Sequence, residues 1–183
     1  MMNFKLMQLS EGMLRTISNA GFTTPSEIQG KTIPLVLAGK DVIGSSATGS
    51  GKTLAFGAGL IDRMKKGLGI QTLVLTPTRE LAEQVAQTLR RFSTYKGLNV
   101  KEIYGGVAMG PQIHGLRNAD VIVGTPGRIL DHLERRTLRL SQLKYLVLDE
   151  ADRMLDMGFI RDVEKIIKEC PTERQTLLFS ATI

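Results

Sequence analysis

Short apolar runs alternate with longer amphipathic stretches along this chain. Leu73-Val74-Leu75, Val121-Ile122-Val123 and Leu146-Val147-Leu148 are continuously apolar, which suits parallel strands covered on both faces. The pattern predicts strands over 41–45, 72–76, 100–104, 121–124, 145–149 and 176–180. Helical spacing predicts helices over 52–64, 79–95 (stopped by Gly97), 112–117, 128–135 and 160–170 (before Pro171). Ahead of the first strand, Ser10 caps a stretch carrying Met13, Leu14 and Ile17, and Gly21 ends it. Alternation of strand and helix implies βαβ units with right-handed crossovers. The expected fold is α/β: an open, mostly parallel sheet with helices on both faces. Ligands of such sheets sit beyond the carboxyl ends of the strands, so residues just past each strand become the candidates.

Composition narrows the class without choosing a function. At 183 residues, 42% hydrophobic and 23% charged, the chain reads as one soluble domain, 1–183, with no linker or repeat. Its net charge of +6 permits a polyanionic partner but does not establish one. The single cysteine, Cys170, excludes an internal disulfide and fits a reducing compartment. No apolar run reaches the ~20 residues that span a bilayer, and 1–5 hold no signal core; a cytoplasmic location is expected. The chain stops at Ile183, directly after the last predicted strand, which suggests either a truncated chain or a missing partner domain.

The first strand runs into Ser46-Ala47-Thr48-Gly49-Ser50-Gly51-Lys52-Thr53 and then a helix. Gly49 and Gly51 let the backbone wrap so that successive N–H groups point at one anion, and the helix adds its positive end there. Lys52 would reach the β- and γ-phosphates of a nucleotide, and the Thr53 hydroxyl would ligate Mg²⁺. The general phosphate-loop pattern opens with Gly where this chain has Ser46, a small residue that the turn tolerates.

The strand at 145–149 ends abruptly in Asp149, Glu150 and Asp152. Acids at a helix start favour the positive end of its dipole, and that reading stays open for Asp152. For Asp149 a cation is the better account: it would hold Mg²⁺, through water, since Mg²⁺ sheds its waters reluctantly. Glu150 can orient or deprotonate the water that attacks the γ-phosphate.

Asp149-Glu150-Ala151-Asp152 spells the signature of the DEAD-box RNA helicases, and other segments resemble that family in the same order. The stretch 21–29, with Phe22 and Gln29, resembles its adenine-recognition motif, and Phe4 stands at the expected upstream aromatic position. Residues 46–53 resemble its phosphate loop, which usually opens with Ala. Pro77-Thr78-Arg79-Glu80, Gly105-Gly106 and Thr125-Pro126-Gly127-Arg128 resemble its RNA-backbone motifs, and Ser180-Ala181-Thr182 its coupling motif. The resemblance covers 4–182 and implies a RecA-like domain, the first lobe of an ATP-dependent RNA helicase that uses ATP and Mg²⁺.

The implied roles make physical sense. The Gln29 amide can donate to adenine N7 and accept from its N6 amine, a pairing guanine cannot return. Phe4 would stack on the base. Thr78, Arg79, Gly106, Thr125 and Arg128 would meet RNA sugar and phosphate, which positions without reading sequence. Ser180 and Thr182 would couple the acidic loop to RNA through Asp152. In the family a second lobe of the same type supplies arginines to the γ-phosphate, so this chain alone is expected to bind adenine nucleotide and hydrolyse it poorly. Two other readings stay open: a clamp that grips RNA without hydrolysis, and a DNA-acting motor on the same scaffold. His114, His132 and the basic run 134–139 are expected to be structural or solvated.

Overall fold

A computed structural model describes all residues, 1–183. The elements in chain order are α1 (Glu11–Asn19), α2 (Glu27–Leu37), β1 (Val42–Ser45), α3 (Lys52–Arg63), β2 (Thr72–Leu75), α4 (Arg79–Phe92), β3 (Val100–Ile103), α5 (Met109–Leu116), β4 (Val121–Gly124), α6 (Pro126–Glu134), β5 (Tyr145–Leu148), α7 (Ala151–Asp156), α8 (Ile160–Glu169) and β6 (Gln175–Ser180). The six strands form one sheet in the order β1-β6-β5-β2-β4-β3, and every pairing is parallel.

Alternation along the strands sorts the core into two layers. Val74, Val123, Val147, Leu177 and Phe179 join Ile33, Phe56, Leu60, Val85 and Leu89 under α1–α4. Leu73, Leu75, Ile122, Leu146 and Leu148 join Leu116, Ile129, Met154, Val163 and Ile166 under α5–α8. Both faces are therefore covered, as the continuously apolar strands require. No helix is long and apolar enough to cross a membrane.

Two helices depart from the sequence expectation. α2 carries Gly30 and Pro34 in its interior, residues that normally break a helix. A capping box at Ser26 and Gln29, with Ile33 and Val36 buried against α3, holds it together. α7, six residues long, is too short to show a helical period. Elsewhere the predicted bounds shift by a few residues; the helix expected to run to 95 ends at Phe92, followed by a 3₁₀ turn over Thr94–Lys96 and Gly97 at φ 64°.

Strand order sets out the candidate residues along one edge. The glycine loop leaves β1, the Ser180 segment leaves β6 and the acids leave β5. Beyond them lie Thr78 after β2, Thr125 after β4 and Gly106 after β3. One half of the edge thus gathers the phosphate loop and acids, and the other half the arginine-bearing turns.

Candidate functional site

The glycine loop is fastened from two sides. Ser46 N–H donates to the Ser180 carbonyl at 3.1 Å, and the Ser46 and Ser50 hydroxyls bond each other. Gly49 and Gly51 both hold φ near 82°, the left-handed region where a side chain is strained. From α2, Ser26 Oγ donates to the Ser50 carbonyl at 3.1 Å and Gln29 Nε2 to the Gly51 carbonyl at 3.2 Å. Gln29 Oε1 meanwhile accepts from Ser26 N–H at 2.9 Å. The same amide that was expected to read a base thus also tethers the loop. The only sequence signal for Ser26 is its spacing to Gln29, which is that of a capping box. Ala47, Thr48 and Gly49 are exposed at the tip, and Thr53 stands half-buried on the first turn of α3.

Beneath the loop lies a cluster of buried charge. Lys52 is 7% exposed and Asp149 is 0% exposed. Lys52 Nζ stands 3.0 Å from Asp149 Oδ1 and 3.7 Å from Glu150 Oε1. The first contact is off the hydrogen-bonding direction, and neither Asp149 carboxylate oxygen accepts an aligned bond. Burial therefore pushes the Asp149 pKa up, against the opposing pull of Lys52. Glu150 sits at φ 52°, ψ 52°, directly before α7, and its Oε2 accepts from Arg153 Nη1 at 3.1 Å. A non-glycine residue in that conformation is uncommon. Two buried carboxylates thus share one buried ammonium, and the half-exposed Arg153 reaches only Glu150. Asp149 thus has Lys52 as its one counter-charge and no aligned hydrogen bond, so a cation beside it would be stabilised.

Asp152 turns away from that cluster. Its Oδ2 accepts from Thr182 N–H at 3.3 Å and Thr182 Oγ1 at 3.0 Å, while Ser180 Oγ donates to the Thr182 carbonyl at 2.8 Å. Partial burial would raise the Asp152 pKa, but the bonds from Thr182 and the Arg153 N–H outweigh it and hold it low. Thr182 therefore makes the expected bonds to the acidic loop, whereas Ser180 bonds the Thr182 carbonyl instead.

On the other half of the edge, Arg79 lies 4.7 Å over the Tyr104 ring and its Nε donates to Glu83 at 3.3 Å. Tyr104 OH donates to the same carboxylate at 2.7 Å. Thr78 Oγ1 caps α4 by accepting from Leu81 N–H at 3.2 Å, whereas the Thr125 hydroxyl caps nothing. Gly106 holds φ 79°, and Arg128 Nη1 donates to the Val107 carbonyl at 3.0 Å. Nothing in the spacing of Glu83 and Tyr104 marks them in the sequence.

The aromatic expected above the base is placed differently. Phe4 lies in a 3₁₀ turn, Phe4–Leu6, and is 4% exposed within the core that includes Met7 and Leu9. An apolar ring at the start of a chain is drawn under α1–α4, so stacking on a base would require this segment to move. Phe22 is 38% exposed and packs tilted on Phe92 at 6.0 Å. His132 is wholly buried, His114 is exposed, and Cys170 is buried with its thiol pushed up to about 11 by burial.

A glycine loop, a buried lysine and strand-end acids on a parallel sheet define a phosphate-loop nucleotide-binding domain. The DEAD/DEAH box helicase family model matches residues 26–183, and the chain belongs to that family. It is 50% identical, over its whole length, to a Methanocaldococcus jannaschii protein described as a "probable ATP-dependent RNA helicase", of which it covers 50%. It is 51% identical over 185 residues to the ATP-dependent RNA helicase CshA of Listeria monocytogenes, covering 36% of that protein. Among solved structures, a DEAD box protein from Methanococcus jannaschii matches with a TM-score of 0.98 at 50% identity, covering all of this chain and 51% of that one. A hypothetical ATP-dependent RNA helicase from Sulfolobus tokodaii matches with a TM-score of 0.88 at 43% identity, over 96% of this chain and 51% of that one. The chain thus spans between about a third and half of these relatives, and its fold is the RecA-like α/β domain they share.

Proposed function

We propose that residues 1–183 form one ATP- and Mg²⁺-binding lobe of an RNA-dependent ATPase that separates short RNA duplexes. The observation that carries this reading is the buried Lys52–Asp149–Glu150 cluster beneath a glycine loop. Its Asp149 oxygens, ion-paired with Lys52 but without an aligned hydrogen bond, suit what a nucleotide with its metal brings. No three His, Cys, Asp or Glu side chains elsewhere converge as a metal cage. A cation at Asp149 would take its other ligands from Thr53, water and phosphate oxygens.

Lys52 would leave Asp149 for the β- and γ-phosphates, and the N–H groups of 47–53 would cradle them. Bound Mg²⁺ would neutralise charge developing on the transferred phosphoryl group. Glu150 would orient the attacking water, or accept its proton. Gln29 would read the adenine edge, with Phe22 or a displaced Phe4 beside the base. Thr78, Arg79, Gly106, Thr125 and Arg128 would grip the RNA backbone, and Asp152 would pass the state of the acidic loop to Ser180 and Thr182. A second RecA-like lobe would supply the arginine worth ~10³–10⁵ in rate, so the chain by itself would bind nucleotide and turn over slowly.

Titration with a fluorescent ATP analogue tests the binding reading. Affinity should depend on Mg²⁺ and fall at least about tenfold in Lys52→Ala, one charge-assisted contact being worth about 1.5–3 kcal/mol. Binding that ignores both changes would remove the nucleotide assignment. RNA-stimulated turnover by the isolated chain at the rate of a two-lobed relative would remove the need for the second lobe.

A further inference from the structure

Gln112 on α5 is buried, and both ends of its amide are committed. Nε2 donates to the Tyr104 carbonyl at 2.8 Å. Oε1 accepts from Arg128 Nη1 at 3.1 Å and faces His132 Nε2 at 2.9 Å. The reverse amide orientation would set an NH₂ against a guanidinium and a carbonyl against a carbonyl, so the network fixes it.

That orientation fixes His132 as well. An amide oxygen has no proton to give, so His132 Nε2 carries the hydrogen. Burial, and then the repulsion of Arg128, push the His132 pKa down and keep the ring neutral. Nδ1 is then left as an acceptor facing Thr137 Oγ1 at 2.8 Å, where it competes with the His132 carbonyl, 3.1 Å away, for the one Thr137 hydroxyl hydrogen. A neutral, fully buried ring thus stands behind Gln112 and holds it from the side opposite Tyr104.

Arg128 is consequently fixed through one nitrogen. Nη1 makes both of its bonds, to Gln112 Oε1 and to the Val107 carbonyl at 3.0 Å; Nε and Nη2 make none within the chain. Gly106 lies between the two carbonyls so held, that of Tyr104 by Gln112 and that of Val107 by Arg128. Gln112 therefore joins the turn after β3 to the first turn of α6, two segments that are distant in sequence.

From this geometry we propose that Gln112 is a positioning residue for the nucleic-acid face, holding the Arg128 guanidinium and the Gly106 turn in their binding arrangement before RNA arrives. The inference rests on the reading of Arg128 and Gly106 as backbone contacts. Gln112 itself meets no ligand. Its effect is to order a long side chain in advance, so that binding does not bear that cost.

The test is an NMR titration of the chain with a short oligouridylate, following the Gly105, Gly106 and Gly127 amides, with a fluorescent ADP analogue measured in parallel. Gln112→Met should weaken RNA roughly fivefold, the ordering cost of one such side chain. Arg128→Ala should weaken it more, and the double variant should be no weaker than Arg128→Ala alone. ADP affinity should not change, because its site lies on the other half of the sheet. Unchanged RNA affinity in Gln112→Met, with a loss in Arg128→Ala, overturns the role of Gln112 alone. Fully additive losses also overturn it, since they indicate a general disturbance. No loss in Arg128→Ala overturns the RNA reading of this face, and the role of Gln112 falls with it. Should Gln112→Met fail to fold, the ring nitrogens of His132 in the unchanged chain decide: a neutral Nε2–H tautomer is expected, and an Nδ1–H or doubly protonated ring contradicts the network.

Discussion

Lys52 and Asp149 meet at 3.0 Å between β1 and β5, across the intervening β6, with Lys52 nearly and Asp149 wholly buried. A lysine on a phosphate loop is thus neutralised by the carboxylate expected to hold the metal. Each group occupies the other in the nucleotide-free chain, and arrival of phosphate with a cation would separate them. Exchange of one buried partner for another avoids leaving either charge bare.

Removing only the lysine should therefore destabilise the empty chain. Lys52→Met leaves two buried carboxylates without their ammonium, at a cost of roughly 3 kcal/mol. Adding Asp149→Asn should recover most of it. Urea denaturation of the two single variants and the double variant measures the coupling; independent, additive effects would mean that the pair is not a working unit.

Acidity should act on the same pair with a definite sign. Burial raises the folded pKa of Asp149 above the ordinary carboxylate range. Its contribution to stability is therefore largest at low pH and is lost as pH rises through the raised folded value. Asp149→Asn mimics the protonated state at every pH. The stability of Asp149→Asn relative to the parent should therefore be most favourable near neutral pH and fall as acidification protonates the parent's carboxyl. A relative stability that rises on acidification would contradict the assignment.

Gln29 links the base-reading segment to the loop through the Gly51 carbonyl. Gln29→Ala should remove the capping box, at about 1 kcal/mol of stability, and should weaken ATP while leaving tripolyphosphate nearly unchanged. Competition binding with ATP, GTP and tripolyphosphate provides the check. Equal losses for ATP and GTP would withdraw the adenine assignment.

Thr182 and Asp152 are joined by two hydrogen bonds. In a two-lobed protein carrying this chain, replacing Ser180 and Thr182 with Ala should spare ATP hydrolysis and impair duplex separation. Parallel assays of both activities decide it, and a joint loss would place these residues in the chemistry instead.

Much of this arrangement is legible along the chain, for physical reasons. Continuous apolar triplets such as 146–148 announce strands buried on both faces, and the end of that strand delivers the acids directly. The glycine loop after β1 is read instead from its own Gly-Ser-Gly-Lys-Thr string. What stays hidden depends on proximity in three dimensions. α2 is masked by Gly30 and Pro34, and its stability comes from packing on α3. Phe4 reads equally as a platform or as core until its surroundings are known. Gln112 has no local signal, because its partners Tyr104, Arg128 and His132 stand 8, 16 and 20 positions away.

A crystal structure with a non-hydrolysable ATP analogue and Mg²⁺ is the most direct measurement of the central claim. Lys52 Nζ should have left Asp149 for the terminal phosphates, with Asp149 facing the cation through water and Thr53 among its ligands. An analogue bound elsewhere, or bound here with Lys52 still 3.0 Å from Asp149, would contradict the account.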